Sequence, residues 1–310
     1  MEMKALLSIR GIGQKRYQHI QKRLKERGQN IDYLLSLSAE RIKEEFGLPI
    51  QVATNIVTFA KEQRATSPLQ QKNIAILTVD NPQYPQKLKT VLGDKAPNLI
   101  YVWGNLELLN RPTIGFCGSR NTDEHGLSIT RAIIKQLAPY QWVVVSGHAR
   151  GVDTIAHRAA LEAGLGTIIV LPEGILTFKL RDELKQIARP DQLLIISEFE
   201  PEASWQVWRA MKRNQTIVAL AEAMVLVQAG EKGGTFEAGK TALRLKKPLF
   251  VVEFEKKHAN NSGNQHFLSK GAYALKRDKT TLEPNISAIV EMVKTKHKDY
   301  QQLPLLNLTD

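Results

Sequence analysis

The alternation of apolar and polar segments between residues 113 and 252 predicts strands alternating with helices. Six short runs are apolar throughout, which indicates strands buried on both faces of a parallel sheet. The predicted strands are residues 113–117, 142–146, 167–171, 193–197, 224–228 and 248–252, and the predicted helices are 128–137, 153–162, 181–187, 214–221 and 235–245. This order predicts a doubly wound α/β fold, in which ligands bind beyond the carboxyl ends of the strands.

The N-terminal part of the chain has a different, helical pattern. Apolar residues at helical spacing predict a small helical module over residues 1–64, followed by a polar, proline-bearing linker at 63–71. Near its start, an apolar stretch runs into Gly11-Ile12-Gly13 and a basic helix follows, as in a helix-hairpin-helix. Such a turn leaves backbone N–H groups free for a phosphate, but an ordinary turn between packed helices has the same pattern. Both interpretations stay open.

Two further apolar runs, at 74–79 and 97–104, open the α/β domain, which we expect to span residues 73–292. Residues 293–310 are expected to form a polar tail, without a C-terminal winged helix. No apolar run approaches the roughly 20 residues of a membrane span.

Three strands of this predicted sheet end in glycine-rich turns that carry basic residues. The members are Gly118, Ser119 and Arg120 in the first turn, Ser146, Gly147, Arg150 and Gly151 in the second, and Lys232, Gly233, Gly234 and Thr235 in the third. Glycines let the backbone approach a ligand, and the N–H groups of the following helix face a negative group. The patterns G-x-G-x-x-G and G-x-x-x-x-G-K-[ST] are absent, so the turns predict a phosphate-binding Rossmann-like variant instead of a standard dehydrogenase or ATPase.

Composition changes this picture through its charge. The chain has 310 residues with a formal net charge of +12, which suits a lysine-rich soluble protein as well as a nucleic-acid binder. Residues 1–27 hold eight Lys or Arg against two Glu, and further cations, including Lys179 and Arg213, lie near the glycine turns. This clustering favours nucleic acid. The single cysteine excludes an internal disulfide and fits a cytoplasmic location.

Several residues near the turns admit two interpretations. Arg120 suits a bidentate phosphate contact, and its alternative is a salt bridge to Asp123 or Glu124. Asp153 and His157 share a helix face four residues apart. We expect Asp153 to cap that helix and His157 to orient the loop from behind, and we expect no metal or catalytic role.

The segment from Trp205 to Asn214 combines aromatic and basic residues. Its indoles suit stacking on the bases of a single strand, with Lys and Arg meeting the backbone. The alternative is a helix whose tryptophans pack into the sheet.

The quoted turns resemble those of the DNA-processing protein A (DprA/Smf) family. The matching residues are Gly118-Ser-Arg120, Ser146-Gly-x-Ala-Arg-Gly-x-Asp153 with Ala156-His157, and Gly263-Asn264 through Lys270-Gly271-Ala272. The resemblance implies a Rossmann-like domain that binds single-stranded DNA, a RecA-type recombinase as partner, and a homodimer. It implies no cofactor and no catalysis. Contacts to DNA are expected from the three turns, from Lys179, and from Arg213 and Asn214.

The chain departs from the family pattern in two places. Relatives have Arg-Asn-Arg where this chain has Arg213-Asn214-Gln215, and a Ser-Gly pair where it has Gly233-Gly234-Thr235. The second departure, with Glu237, also resembles the LOG phosphoribohydrolases of the same fold superfamily. The alternative function is therefore a small-nucleotide sensor, or an enzyme that hydrolyses nucleoside monophosphates with an arginine and a glutamate.

Overall fold

The structure is a computed structural model that describes residues 3–64, 68–255 and 261–301. The chain divides into two compact units, Met1–Asn73 and Ile74–Asp310. Each unit buries a hydrophobic core of its own. No helix in the described ranges is both long and apolar enough to cross a membrane.

The first unit consists of helices throughout its described residues. They are a 3₁₀ helix Met3–Ser8, α1 (Gln14–Glu26), α2 (Ile31–Ser36), α3 (Ala39–Phe46), α4 (Ile50–Arg64) and α5 (Pro68–Gln71). Apolar side chains from the first 3₁₀ helix to α4 meet in one core, because they recur at helical spacing. Helix α5 occupies the end of the segment expected to be a linker, and residues 65–67 lie outside the described residues.

The turn before α1 has the features that the sequence predicts. Gly11 adopts a φ of +95° and lies against Val52, where a Cβ atom would be 3.0 Å from Cγ2. Ile12 is buried, and α1 begins after Gly13 without a side-chain cap. The apolar element ahead of the turn is the short 3₁₀ helix instead of an α-helix. Phosphate binding by this turn stays a prediction.

The second unit contains a nine-stranded sheet in its described residues. The strands are β1 (Ala75–Thr78), β2 (Leu99–Gly104), β3 (Thr113–Cys117), β4 (Val143–Ser146), β5 (Thr167–Leu171), β6 (Leu193–Ser197), β7 (Ala223–Leu226), β8 (Leu249–Val252) and β9 (Tyr273–Leu275). Their order is β1-β2-β6-β5-β4-β3-β7-β8-β9. The pairs β1·β2 and β2·β6 are antiparallel, and all other pairs are parallel.

Helices cover both faces of this sheet. They are α6 (Gln86–Leu92), α7 (Glu124–Leu137), α8 (Val152–Glu162), α9 (Asp182–Lys185), α10 (Val207–Leu220), α11 (Gly234–Arg244), α12 (Ser262–Ser269) and α13 (Ser287–Gln301). One core holds side chains of α6, α10, α11 and α12, and the other holds side chains of α7, α8 and α13. Val143 and Val145 point into the first core and Val144 into the second, as expected for a strand buried on both faces.

The strand order places a switch point at β3. From β3 the chain winds through β4, β5 and β6 in one direction, then crosses back to β7 on the other side of β3. Connections on the two sides of such a point diverge, which leaves a crevice at the carboxyl ends of the strands. The predicted doubly wound α/β fold is confirmed.

Other details of the second unit differ from the sequence predictions. Helix α10 begins at Val207, seven residues before the predicted start at 214. The prediction missed these residues because the basic and aromatic side chains of the first turns obscure the helical spacing of the apolar ones. Helix α12 and strand β9 were not predicted; β9 has only three residues, Tyr273–Leu275, which is too short a run to predict a strand. The tail expected from residue 293 begins inside α13, where Val293 is buried.

Candidate nucleic-acid interface

A cavity of about 410 Å³ occupies the crevice at the switch point. It lies at the carboxyl ends of β3 and β7, between the first turn, the start of α10 and the start of α11. Of the predicted site residues, those that line it are Gly118, Ser119, Arg120, Asp153, Arg213, Asn214, Lys232, Gly234 and Thr235. The structure therefore brings the first and third turns together around one space.

The first turn is fastened to both of its neighbours. The Ser119 N–H donates to the carbonyl of Gln228 at 2.8 Å, which ties the turn to the end of β7. The Ser119 hydroxyl accepts from the N–H of Asn121 at 3.1 Å. Gly118 packs on Val152, where a Cβ atom would be 2.3 Å from Cγ2. Helix α7 then begins with Asp123 as its cap, accepting from the Gly126 N–H at 2.9 Å.

The second turn mainly supports the first turn, and it contributes only Ala149 and Asp153 to the cavity lining. Gly151 has a φ of +77°, and a Cβ atom there would be 2.3 Å from the carbonyl oxygen of Ser119. Gly147 leaves room for Arg213, whose Nη1 would be 2.1 Å from an added Cβ. The Ser146 hydroxyl is buried and donates to the carbonyl of Phe116 at 2.7 Å. The glycines of this turn thus permit close packing, and Ser146 is engaged inside the fold.

Arg213 forms the floor of the cavity and is not a surface contact. Its side chain is only 6% exposed, and Nη1 donates to the carbonyl of Val170 at 2.6 Å. Its Nε is buried without a hydrogen-bond partner among the described residues. Burial lowers the pKa of Arg213, and the nearby Asp153 carboxylate opposes that effect. Arg213 therefore meets the cavity from its floor, and its contact with a phosphate stays a prediction.

Asp153 lies with Arg213 at the floor of the cavity, and it does not cap α8 as the sequence predicted. Gly151 is the cap of α8, and Asp153 lies inside the helix. Its Oδ2 accepts from the backbone N–H of Ala149 at 3.1 Å, which orders the second turn. Burial raises the pKa of Asp153, while the charge of Arg213 acts in the opposite direction. The two oppositely charged groups therefore support each other in a poorly hydrated position.

His157 lies behind the turn, as the sequence predicts. It is fully buried, and its Nδ1 pairs with the Thr167 hydroxyl at 2.7 Å, which joins α8 to β5. Burial lowers the pKa of His157 well below its ordinary value, so the ring is neutral at pH 7. The ring of His148, in the second turn, is 6.4 Å away between centroids.

Two helices begin at the site without side-chain caps. Gly151 precedes α8 and Gly233 precedes α11, and neither offers a side-chain acceptor to the first N–H groups. Gly234 and Thr235, in the first turn of α11, line the cavity, and the Asn214 amide donates to the carbonyl of Gly234 at 3.2 Å. An uncapped N-terminus carries partial positive charge and favours an anion. Only that of α11 opens onto the cavity, because α8 contributes just the Asp153 carboxylate to the lining.

Exposed cations border the same space. Arg120 and Lys232 both line the cavity and are exposed. The acids considered as alternative partners of Arg120 are engaged elsewhere: Asp123 caps α7, and Glu124 pairs with Arg131 at 2.7 Å. The Arg120 guanidinium instead lies 6.0 Å from the ring centroid of Trp205. Its charge is therefore available to a ligand.

Two predicted cations lie outside the cavity lining. Arg150 is exposed in the second turn, and Lys179 is exposed in the loop between β5 and α9. Gly233 also lies outside the lining, although its neighbour Gly234 is part of it. Any contact of Arg150 or Lys179 with a ligand therefore needs a chain that extends beyond the cavity.

Cys117 and Glu237, the two residues considered for catalysis, have surroundings that do not prepare them for it. Cys117 lines the cavity, but burial raises the pKa of its thiol, which keeps the sulfur protonated. Glu237, the acid expected in a hydrolase, pairs with Lys240 at 2.9 Å and is not among the lining residues. Within the described ranges, no three His, Cys, Asp or Glu side chains are grouped to hold a metal ion.

The structure adds lining residues that sequence reasoning missed. Val207, Ala210 and Met211 from the first turns of α10 form an apolar wall, with Met224 of β7 behind them. In the sequence, the only indication of this wall was the aromatic and basic segment from Trp205 to Asn214, which was interpreted as a possible groove for a single strand. Asn264, part of the quoted motif, is buried and binds the carbonyls of Val227 and Val252, both at 2.8 Å, so it joins β7 to β8.

Comparison with known proteins agrees with this geometry. The model of a family described as DNA recombination-mediator protein A matches residues 75–284. DNA processing protein DprA of Bacillus subtilis is 29% identical over 197 residues, which are 63% of this chain and 65% of the relative. Protein Smf of Escherichia coli is 25% identical over 78% of this chain and 65% of its own length. The chain thus matches just under two thirds of these curated relatives.

Solved structures share the fold. DNA processing protein A from Streptococcus pneumoniae superposes with a TM-score of 0.63, 22% identity and coverage of 89% of this chain and 95% of the other. The protein from Helicobacter pylori, described for its single-stranded DNA binding mode, gives 0.58 with 27% identity, over 73% of this chain and 96% of the other. Because the family model covers most of the second unit, the chain belongs to the DNA recombination-mediator protein A family.

Proposed function

We propose that this protein binds single-stranded DNA at the cavity and acts as a recombination mediator. The observation that carries the proposal is the cavity at the switch point, where exposed Arg120 and Lys232 meet the uncapped N-terminus of α11. Backbone amides and cations of this kind bind phosphates regardless of sequence. The H. pylori relative, described with single-stranded DNA, supports the same ligand.

The dimensions of the cavity favour a single strand over a duplex. A volume of about 410 Å³ suits one nucleotide-sized group. A flexible single strand can bend its backbone into such a recess, whereas a paired strand would first have to break its stacking. A positively charged groove that follows the backbone is the general arrangement in proteins that bind single strands.

The family supports three further proposals. A recombination mediator acts with a recombinase, so we infer that a RecA-type protein receives the bound strand from this one. A homodimer through the α/β unit and a cytoplasmic location fit that role. Neither catalysis nor a cofactor is needed, because the proposed function is binding and transfer of a strand.

The test is a titration of short single-stranded DNA, duplex DNA and free nucleotides at several salt concentrations. If about five phosphates are contacted, log K should fall with log salt with a slope of roughly −3.5, at about −0.7 per phosphate. We expect tighter binding of the single strand. Equal affinity for duplex, or a slope near zero, would contradict the proposal, and tight binding of a free nucleotide would favour the sensor alternative.

A further inference from the structure

Two tryptophans beside the cavity are exposed to an extent that folding does not explain. Trp205 is 46% exposed and Trp208 is 55% exposed, at the start of α10. A large apolar ring left in water forgoes the stabilisation that burial would give, so adjacent exposed indoles mark a binding surface. We call Trp205 and Trp208 the indole pair.

Trp205 stands at the rim of the cavity next to a cation. It lines the cavity, and the Arg120 guanidinium is 6.0 Å from its ring centroid. In a nucleotide, one sugar joins the base to the phosphate. A base stacked on Trp205 would therefore bring its phosphate close to Arg120.

Trp208 lies outside the cavity lining and is held in position by its neighbours. Its Nε1 donates to the side-chain oxygen of Gln206, and its ring meets Phe199 edge-on, with 5.9 Å between centroids. The Arg209 guanidinium is 5.2 Å from the Trp208 ring centroid and donates to the carbonyl of Ser204. The exposed indole is therefore ordered before any ligand arrives, which lowers the entropic cost of binding.

We propose that the indole pair forms two successive base-stacking positions, so that a single strand leaves the cavity across the start of α10. This inference rests on the proposed function and adds contacts to bases, which the phosphate turns do not make. Arg120 lies over one face of the Trp205 ring and Arg209 over one face of the Trp208 ring, so a base would stack on the opposite face of each indole. That alternation of ring and cation matches the alternation of base and phosphate along a strand.

The charge of the surface selects nucleic acid as its occupant. Lys212 lies 5.6 Å from the Phe199 ring and pairs with Glu198 at 3.0 Å, whereas Arg120 and Arg209 lie over the rings of the indole pair themselves. Stacking on an indole is tolerant of sequence because every base presents a π face. The indole pair should therefore strengthen binding without selecting a sequence.

The experiment separates stacking from phosphate contact. The full chain would be titrated into a labelled oligothymidylate and into the same oligonucleotide with abasic sites, at several salt concentrations. Trp205→Ala and Trp208→Ala should each weaken binding of the normal oligonucleotide about 5- to 150-fold, the range that corresponds to the loss of one stacked base. The slope of log K against log salt should stay unchanged, because no phosphate contact is removed.

A matched control is available in Trp103, which is 40% exposed on β2, a strand that three other strands separate from β3. Trp103→Ala should bind like the wild type, and Trp205→Phe should recover most of the affinity. On the abasic oligonucleotide, wild type and Trp205→Ala should bind equally. Melting temperatures of all variants would verify folding, and a Trp208→Phe variant would serve if Trp208→Ala fails to fold.

Either of two outcomes would overturn the inference. One is normal affinity of folded Trp205→Ala for the normal oligonucleotide. The other is an equal loss on abasic DNA, which would mean that Trp205 acts only by positioning Arg120. Both differ from failure of the proposed function, in which the wild-type protein itself shows no preference for single strands.

Discussion

Replacing Arg120 with alanine removes one of the two exposed positive charges that line the cavity, and it therefore tests where the proposed site lies. Arg120 lines the cavity, and its only ring neighbour in the described part of the chain is Trp205 at 6.0 Å. Loss of that cation–π contact should cost the fold no more than about 0.5–1 kcal/mol. Loss of a charge-assisted hydrogen bond to phosphate should weaken DNA binding by about 1.5–3 kcal/mol, or roughly 10- to 150-fold.

The assay is anisotropy of a labelled single strand at several salt concentrations, together with thermal unfolding. The slope of log K against log salt should become shallower by about 0.7, because one phosphate contact is removed. Arg120→Lys should restore the slope but only part of the affinity, since an ammonium cannot make a bidentate contact. Lys135→Ala, at the far end of α7, is the control for loss of an exposed charge. A folded Arg120→Ala protein with wild-type affinity would refute the placement of the site.

Three further outcomes follow from the buried groups. Arg213→Ala should lower the free energy of unfolding by about 1–3 kcal/mol in a denaturant titration, because the buried Val170 carbonyl loses its hydrogen-bond donor and Asp153 loses a nearby positive charge; wild-type stability would contradict this. Burial lowers the pKa of His148 to about 4, so the neutral ring contributes fully to the free energy of unfolding above pH 6.5, and this contribution declines as the pH falls toward 4. The loss of stability should reach at most about 3 kcal/mol. It should be smaller in His148→Asn, because asparagine tolerates the φ of +75° at this position. Glu237→Gln should leave DNA affinity unchanged or slightly tighter, with no release of free base from nucleoside monophosphates by either protein; base release by the wild type alone would favour the hydrolase.

The fold was largely predictable because its signals are local. The runs at 113–117, 167–171 and 193–197 became β3, β5 and β6 with the predicted bounds, since strands buried on both faces must be apolar throughout. Strand β9 was not predictable in this way, because β8 supplies its hydrogen bonds and its run of three residues, Tyr273–Leu275, is too short to stand out. The glycine turns were also predictable, because the glycine, hydroxyl and basic residues of each turn lie within a few positions of one another in the sequence.

The roles of individual charged residues were less predictable. Arg120 and Arg213 both follow the pattern of a basic residue near a glycine turn, yet one is exposed and the other lies beneath the cavity. The difference depends on Gly147, whose missing side chain makes the space that Arg213 fills. Such a fit joins residues 66 positions apart, and no spacing rule within one segment reveals it.

The third turn has a consequence for experiments on this protein. An added Cβ at Gly234 would meet nothing within 4 Å, and the φ of Gly234 lies outside the left-handed region. Gly151 differs in both respects, because its φ is positive and its backbone packs against the carbonyl of Ser119. Burial raises the pKa of the single native thiol of this 310-residue chain, on Cys117, so we expect it to react more slowly with thiol reagents at neutral pH than an exposed cysteine. A Gly234→Cys variant would thus accept a fluorophore at the mouth of the cavity and report arrival and departure of a strand in real time, without disturbing the interlocked turns beneath it.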